Sequence, residues 1–167
     1  MKTFLVTALA FVAIPAMGAL LPGLRLETAR VDLHLTFVVF LALACPTIEG
    51  AIGAFAIGYF VELQTGHPMG LFLSATMFTY ALARLCSPLV DVHSLWSFGI
   101  LILGFDVFYG LITLGLATLS PFTRSGSLAS VLLSAPLTAL AAGLCWPLFM
   151  ALSRRAKQRG RQALRLR

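Results

Sequence analysis

The chain has 167 residues, of which 59% are hydrophobic and only 11% charged, with a mean hydropathy of +0.95 and a formal net charge of +6. Soluble domains carry about 25% charged residues, so these totals argue against a water-soluble enzyme and predict a single-domain integral membrane protein. Seven of the twelve basic residues follow Ser153, a bias that points to a cytoplasmic tail beside anionic lipid rather than to nucleic-acid binding.

Helix 1 is expected over approximately Thr3–Leu21, with Pro15 as a kink and Pro22-Gly23 as its end. A basic residue, an apolar stretch and small residues near Gly18 also fit a cleaved signal peptide. The apolar run is as long as the roughly 20 residues a span needs, so it is read as an uncleaved first span. The segment LRLETARVDLH, with Arg25, Glu27, Arg30, Asp32 and His34, reads as an interfacial loop or short amphipathic turn. Helix 2 is expected over Leu33–Cys45, where Pro46 breaks it. It either begins in the interface near Arg30 or continues past Pro46 as a kinked segment.

Helix 3 is expected over approximately Gly50–Leu63. Gly50, Ala54, Gly58, Glu62, Gly66 and Gly70 recur at four-residue spacing, and residues four apart stack on one helix face. This gives a small-residue stripe that ends in a carboxylate, with Gly66 and Gly70 in the turn beyond. In a membrane such a stripe admits a close neighbour, and its carboxylate must face protein or water. His67-Pro68 makes the turn into helix 4, approximately Met69–Cys86, which ends at Arg84. Helix 5 is expected over Trp96–Leu119 with Asp106 near its middle, and helix 6 over Leu128–Leu152 with Pro136 and Pro147 inside. The fold class is therefore all-α: a six-helix transmembrane domain over residues 1–152 and a basic cytoplasmic tail over 153–167.

Six spans put both termini on one side. Placing them in the cytoplasm sets Lys2, Arg84 and the seven tail residues inside, against Arg25, Arg30 and Arg124 outside, as the positive-inside rule prefers. In the tail, Arg154, Arg155, Lys157, Arg159 and Arg161 are the residues expected at the membrane surface.

Glu62 and Asp106 are the two acids within or close to apolar helices. Three readings compete for them: proton relay or cation binding, pairing with Arg84 or His67, and hydrogen bonds that lock the bundle or a subunit contact. Structural locking is preferred, because no further acids stand in register. Arg84 reads as a snorkelling residue at the interface. Cys45, Cys86 and Cys145 lack metal spacing, and His34, His67 and His93 lie far apart, so no metal or cofactor is expected. No nucleophile–His–acid set, P-loop or dinucleotide fingerprint occurs, so the chain is not expected to be an enzyme.

Gly58-x3-Glu62-x3-Gly66-x3-Gly70, an acid in helix 5, Asp32 before helix 2, and Trp146-Pro147 before a basic end together resemble the rod shape-determining protein MreD family. The resemblance covers approximately residues 31–157. Glu62 stands where the family more often has Asp, and Val31 where it often has Pro. The resemblance implies a non-enzymatic scaffold of the bacterial inner membrane. Such a scaffold would bind an MreC-like protein, near a RodA-type glycosyltransferase, its transpeptidase and MreB, and help direct lateral peptidoglycan synthesis. It also implies a fold similar to the substrate-binding subunit of energy-coupling-factor transporters. The alternative is therefore a transporter subunit that captures a vitamin or metal through the Arg25–His34 loop and the His67 turn. A homodimer is compatible with the small-residue faces.

Overall fold

The computed structural model describes residues 2–23, 32–65, 70–89, 95–119, 134–147 and 149–151. Regular structure among the described residues is entirely helical: α1 (Lys2–Gly23), α2 (Leu33–Ala44), α3 (Thr47–Thr65), α4 (Leu71–Cys86) and α5 (Leu95–Leu119), and α6 within Ser134–Ala151. The chain is all-α. The first five expected helices are present, with bounds that shift by a few residues; the expected start of helix 6, residues 128–133, lies outside the described residues. Pro22 and Gly23 are the last residues of α1 rather than residues beyond it, and α3 begins three residues early, at Thr47.

The break after α2 has a plain cause. A proline disfavours the helical conformation in the residue before it, and Cys45 is extended, with φ −111° and ψ 158°. Helix resumes at once at Thr47, but as a hairpin rather than a kinked continuation. Gly53 lies against the Leu41 side chain and Gly50 against the Leu41 carbonyl, so α3 folds back along α2.

The other contacts set the remaining directions. Thr3 meets Glu49 and Phe11 meets Phe60, so α1 runs parallel to α3. Gly58 meets Thr76 and Thr47 meets Tyr80, so α4 runs antiparallel to α3. Phe98 meets Trp146 and Asp106 meets Ser134, so α5 and α6 are antiparallel. The six helices thus alternate in direction along the chain.

α2 is the axis of this bundle. Every residue from Leu33 to Ala42 is buried, as expected of a helix that is apolar all round. It packs on α1, α3, α4 and α5, and Phe37 and Phe40 meet Phe149 of α6. At 12 residues it is only about 18 Å long. Two helical stretches, Trp96–Gly115 and Ser134–Ala151, are long and apolar enough to cross a membrane, while Thr3–Ala16, Leu33–Ala44 and Leu71–Cys86 are shorter apolar stretches.

Among the described residues much of the exposed surface is apolar and part of the interior is polar. Phe4, Val12, Ile48, Ile52, Phe78, Leu85, Trp96, Ile100, Leu140 and Leu144 are exposed, whereas His34, Thr36, Glu62, Thr76, Thr79, Asp106 and Thr138 are buried. Three of the buried threonines satisfy their hydroxyls within their own helix: Thr76 on Phe72 O, Thr79 on Ala75 O and Thr138 on Ser134 O.

The glycines separate into packed and open positions. A Cβ at Gly58 would stand 3.1 Å from Thr76 Cβ and 3.2 Å from Leu73 Cδ1, while at Gly104 it would meet nothing within 4 Å. Gly58→Leu is therefore expected to cost about 1–3 kcal/mol of stability through overpacking. Gly104→Ala should be neutral or stabilising by up to about 1 kcal/mol through helix propensity. Thermal melts of the detergent-solubilised variants measure both, and equal effects at the two sites would contradict this assignment of packed and open faces.

Candidate functional site

The four-residue stripe of α3 faces inward. Gly50, Ala54, Gly58 and Glu62 are all buried. Its neighbours belong to the same chain: Gly50 lies under Tyr80 and the Leu41 carbonyl, and Gly58 under Thr76 and Leu73. Gly53 belongs to the same packing centre, since a Cβ there would stand within 3.1 Å of Thr7, Leu41 and Thr3. Three residues from Gly50, it falls off the four-residue spacing but remains a helical neighbour. The stripe is occupied by α2 and α4, with α1 packed on Gly53 beside it.

At the end of this stripe Glu62 closes the α3–α4 hairpin. A helix begins with backbone N–H groups that lack partners. These are commonly met by a capping box, in which the N-cap side chain accepts from the third helical residue while that residue's side chain accepts from the N-cap amide. α4 has a glycine, Gly70, at its N-cap and a leucine, Leu73, in the third position, and neither side chain can accept. Glu62 performs both tasks from the preceding helix. Gly70 N donates to Glu62 Oε1, and Leu73 N donates to Glu62 Oε2 at 3.0 Å. The Gly70 carbonyl then accepts from Ser74 N at 2.9 Å and starts the α4 ladder.

Both glycines flanking the acid now have a physical reason. Gly70 sits at φ +104°, a left-handed conformation that disfavours residues with a Cβ. Gly58, one turn before Glu62, lets α4 approach closely enough for the carboxylate to reach its amides. The negative charge also faces the positive end of the α4 dipole. Glu62 is 7% exposed. Thr65 Oγ1 donates back to the carbonyls of Val61 and Glu62 at 3.1 and 3.2 Å, which finishes α3. Gly66, the remaining residue of the spacing, lies outside the described residues.

The opposite end of the hairpin is held by a cation. Arg84 Nη1 donates to Ala42 O at 2.8 Å and to Cys45 O at 3.2 Å. It satisfies carbonyls at the C-terminal end of α2, where a helix lacks intrahelical donors and the dipole is negative. The snorkelling expected for Arg84 gives way to this internal role, since a guanidinium carries several donors in a fixed fork. Next to it, Tyr80 Oη donates to Thr47 O at 2.7 Å, and Thr3 Oγ1 donates to Glu49 Oε2 at 2.9 Å. Glu49 lies in the first turn of α3, where a carboxylate is favoured.

Asp106 belongs to a separate polar cluster and is 1% exposed. Ser134 Oγ donates to Asp106 Oδ2 at 3.4 Å. Asp32 N donates to Thr138 Oγ1 at 3.1 Å, His34 Nδ1 stands 4.0 Å from Asp32 Oδ1, and the His34 ring meets Tyr109 edge-on. Glu62 and Asp106 thus serve different contacts, one at the α3–α4 turn and the other between α5 and α6. Among the described residues no three His, Cys, Asp or Glu side chains converge to hold a metal. Arg25, Arg30, His67, His93, Arg124 and the tail residues Arg154, Arg155, Lys157, Arg159 and Arg161 lie outside the described residues. No family model, curated protein or solved structure matches the chain.

Proposed function

We propose that this chain is an MreD-like, non-enzymatic scaffold of the bacterial inner membrane that binds an MreC-like partner and helps direct lateral peptidoglycan synthesis. The observation that carries the reading is the Glu62 clasp. The glycine–acid–glycine spacing that suggests the family is used here as a structural unit, with Gly58 admitting α4, Glu62 capping it and Gly70 turning the chain. A motif spent on internal locking suits a scaffold better than a catalyst. The apolar exterior and polar interior favour a bilayer environment. In this reading the six alternating helices all cross or enter the membrane, both termini are cytoplasmic, and the basic tail lies on anionic lipid. Because the α3 stripe is occupied internally, the partner meets outward faces of the bundle. A RodA-type glycosyltransferase, its transpeptidase and MreB are the wider assembly.

The test is co-expression of the tagged chain with the MreC-like protein of the same genome, with cell shape followed on depletion. A stable complex in detergent and rounded cells are expected. Failure to co-purify, together with unchanged rods, would overturn the reading.

A further inference from the structure

The polar cluster between α5 and α6 contains a buried carboxyl that no described cationic side chain neutralises. Asp106 is 1% exposed, and its Oδ1 is buried with no hydrogen-bond partner. Its Oδ2 receives one long hydrogen bond, 3.4 Å from Ser134 Oγ. The Thr138 hydroxyl lies beside the same carboxyl, and Asp32 is near enough to add negative potential. Among the described residues, the charged and titratable groups facing this region are Asp32 at the N-cap of α2, His34 in its first turn and Tyr109 from α5. His34 stands against Asp32, and among the described residues no Lys or Arg pairs with Asp106. Arg84 is committed to the far end of α2. A buried carboxylate without a counter-charge is strongly disfavoured, yet Ser134 and Thr138 present hydroxyl oxygens beside it.

We propose that Asp106, Ser134 and Thr138 form a site for a monovalent alkali cation of the sodium class. The donors are all hard oxygens, which select hard cations over thiolate- or imidazole-seeking metals. With Asp106 ionised, the site carries one negative charge, which matches one positive charge. Oδ1 of Asp106 supplies a free ligand position; the Thr138 proton is held by Ser134 O at 3.1 Å and the Ser134 proton by Asp106 Oδ2, so both hydroxyl protons are placed and the oxygens beside the carboxylate can turn toward a cation. A bound cation would tie α5 to α6 and, through the Asp32 N–Thr138 bond, to the start of α2. The site is independent of any partner protein.

Thermal melts of the purified full chain in sodium chloride and in N-methylglucamine chloride, at constant ionic strength and pH, test this. A melting temperature that rises by about 5 °C as sodium is raised to saturation is expected, with the rise lost in Asp106→Asn and displaced to about tenfold higher sodium in Thr138→Val. Binding of radioactive sodium to the wild-type chain gives a readout that needs no variant, with saturable uptake expected. Equal melting in the two salts, no saturable uptake, or a sodium effect that survives in Asp106→Asn would overturn the proposal. A melt that responds to pH but not to sodium would also overturn it, by assigning the carboxyl a proton instead.

Discussion

Glu62→Ala should destabilise the protein by about 2–4 kcal/mol, because it removes two hydrogen bonds to a carboxylate and strands two backbone amides at the start of α4. The size of the effect follows from the sequence around it. Gly70 has no side chain to cap the helix and Leu73 has no acceptor, so nothing nearby replaces the lost oxygens. Glu62→Gln keeps one acceptor oxygen but turns an NH2 group toward the other amide, so it should cost about half as much. Glu62→Asp keeps the charge but is one methylene short, so it should rank between Gln and wild type. Thermal or denaturant unfolding in detergent gives the ranking. Gln and Ala variants as stable as wild type would show that Glu62 does not clasp α4.

The second large effect is expected at the other end of the hairpin. Arg84→Leu keeps the apolar stem but removes the donor held by Ala42 O and Cys45 O. These carbonyls lie at the end of a helix buried on every side, with little access to water, so the loss should cost about 2–4 kcal/mol. Arg84→Lys can reach one carbonyl as a point donor and should recover part of it. The effect should also be local. Cys45, adjacent to the break and buried, should become more reactive to maleimide in Arg84→Leu when Cys86 and Cys145 are replaced by serine. Unchanged stability and unchanged Cys45 labelling would return Arg84 to a surface role.

Much of this arrangement is legible in the chain. The four-residue recurrence from Gly50 to Glu62 identifies the inward face of α3, because helical periodicity depends only on local geometry. Pro46 marks the end of α2 for an equally local reason, and the reading of Gly70 as turn rather than helix agrees with its positive φ. What is not legible depends on which helices meet. Arg84 looks like an interfacial residue because its acceptors, Ala42 and Cys45, belong to a different helix far earlier in the chain. Once α3 and α4 are paired through Glu62 and Gly70, their antiparallel course carries Arg84 back to the Cys45–Pro46 break, so the hairpin register is the missing signal. The Asp106 cluster shows the same limit. Asp32 and Asp106 are far in sequence from Ser134 and Thr138, and Asp32 reaches them only because α2 runs through the middle of the bundle. The short length of α2 raises the question whether it spans, and its burial on all sides gives the physical reason a short helix serves here.

These contacts give the α3–α4 hairpin a charged group at each end, both directed to helix termini rather than to each other. The small-residue face between them sets the distance at which the termini can be reached. Gly58 and Glu62 should therefore act as a coupled pair, since widening the helix spacing at Gly58 would draw the carboxylate away from Gly70 and Leu73.

The most direct measurement is amide hydrogen exchange at Gly70 and Leu73 in the isotopically labelled protein, compared between wild type and Glu62→Ala. The clasp predicts slow exchange at both amides in the wild type and a large, selective loss of protection at these two positions in the variant, with the middle of α4 little changed. Rapid exchange at both amides in the wild type, or protection that persists without the carboxylate, would contradict it.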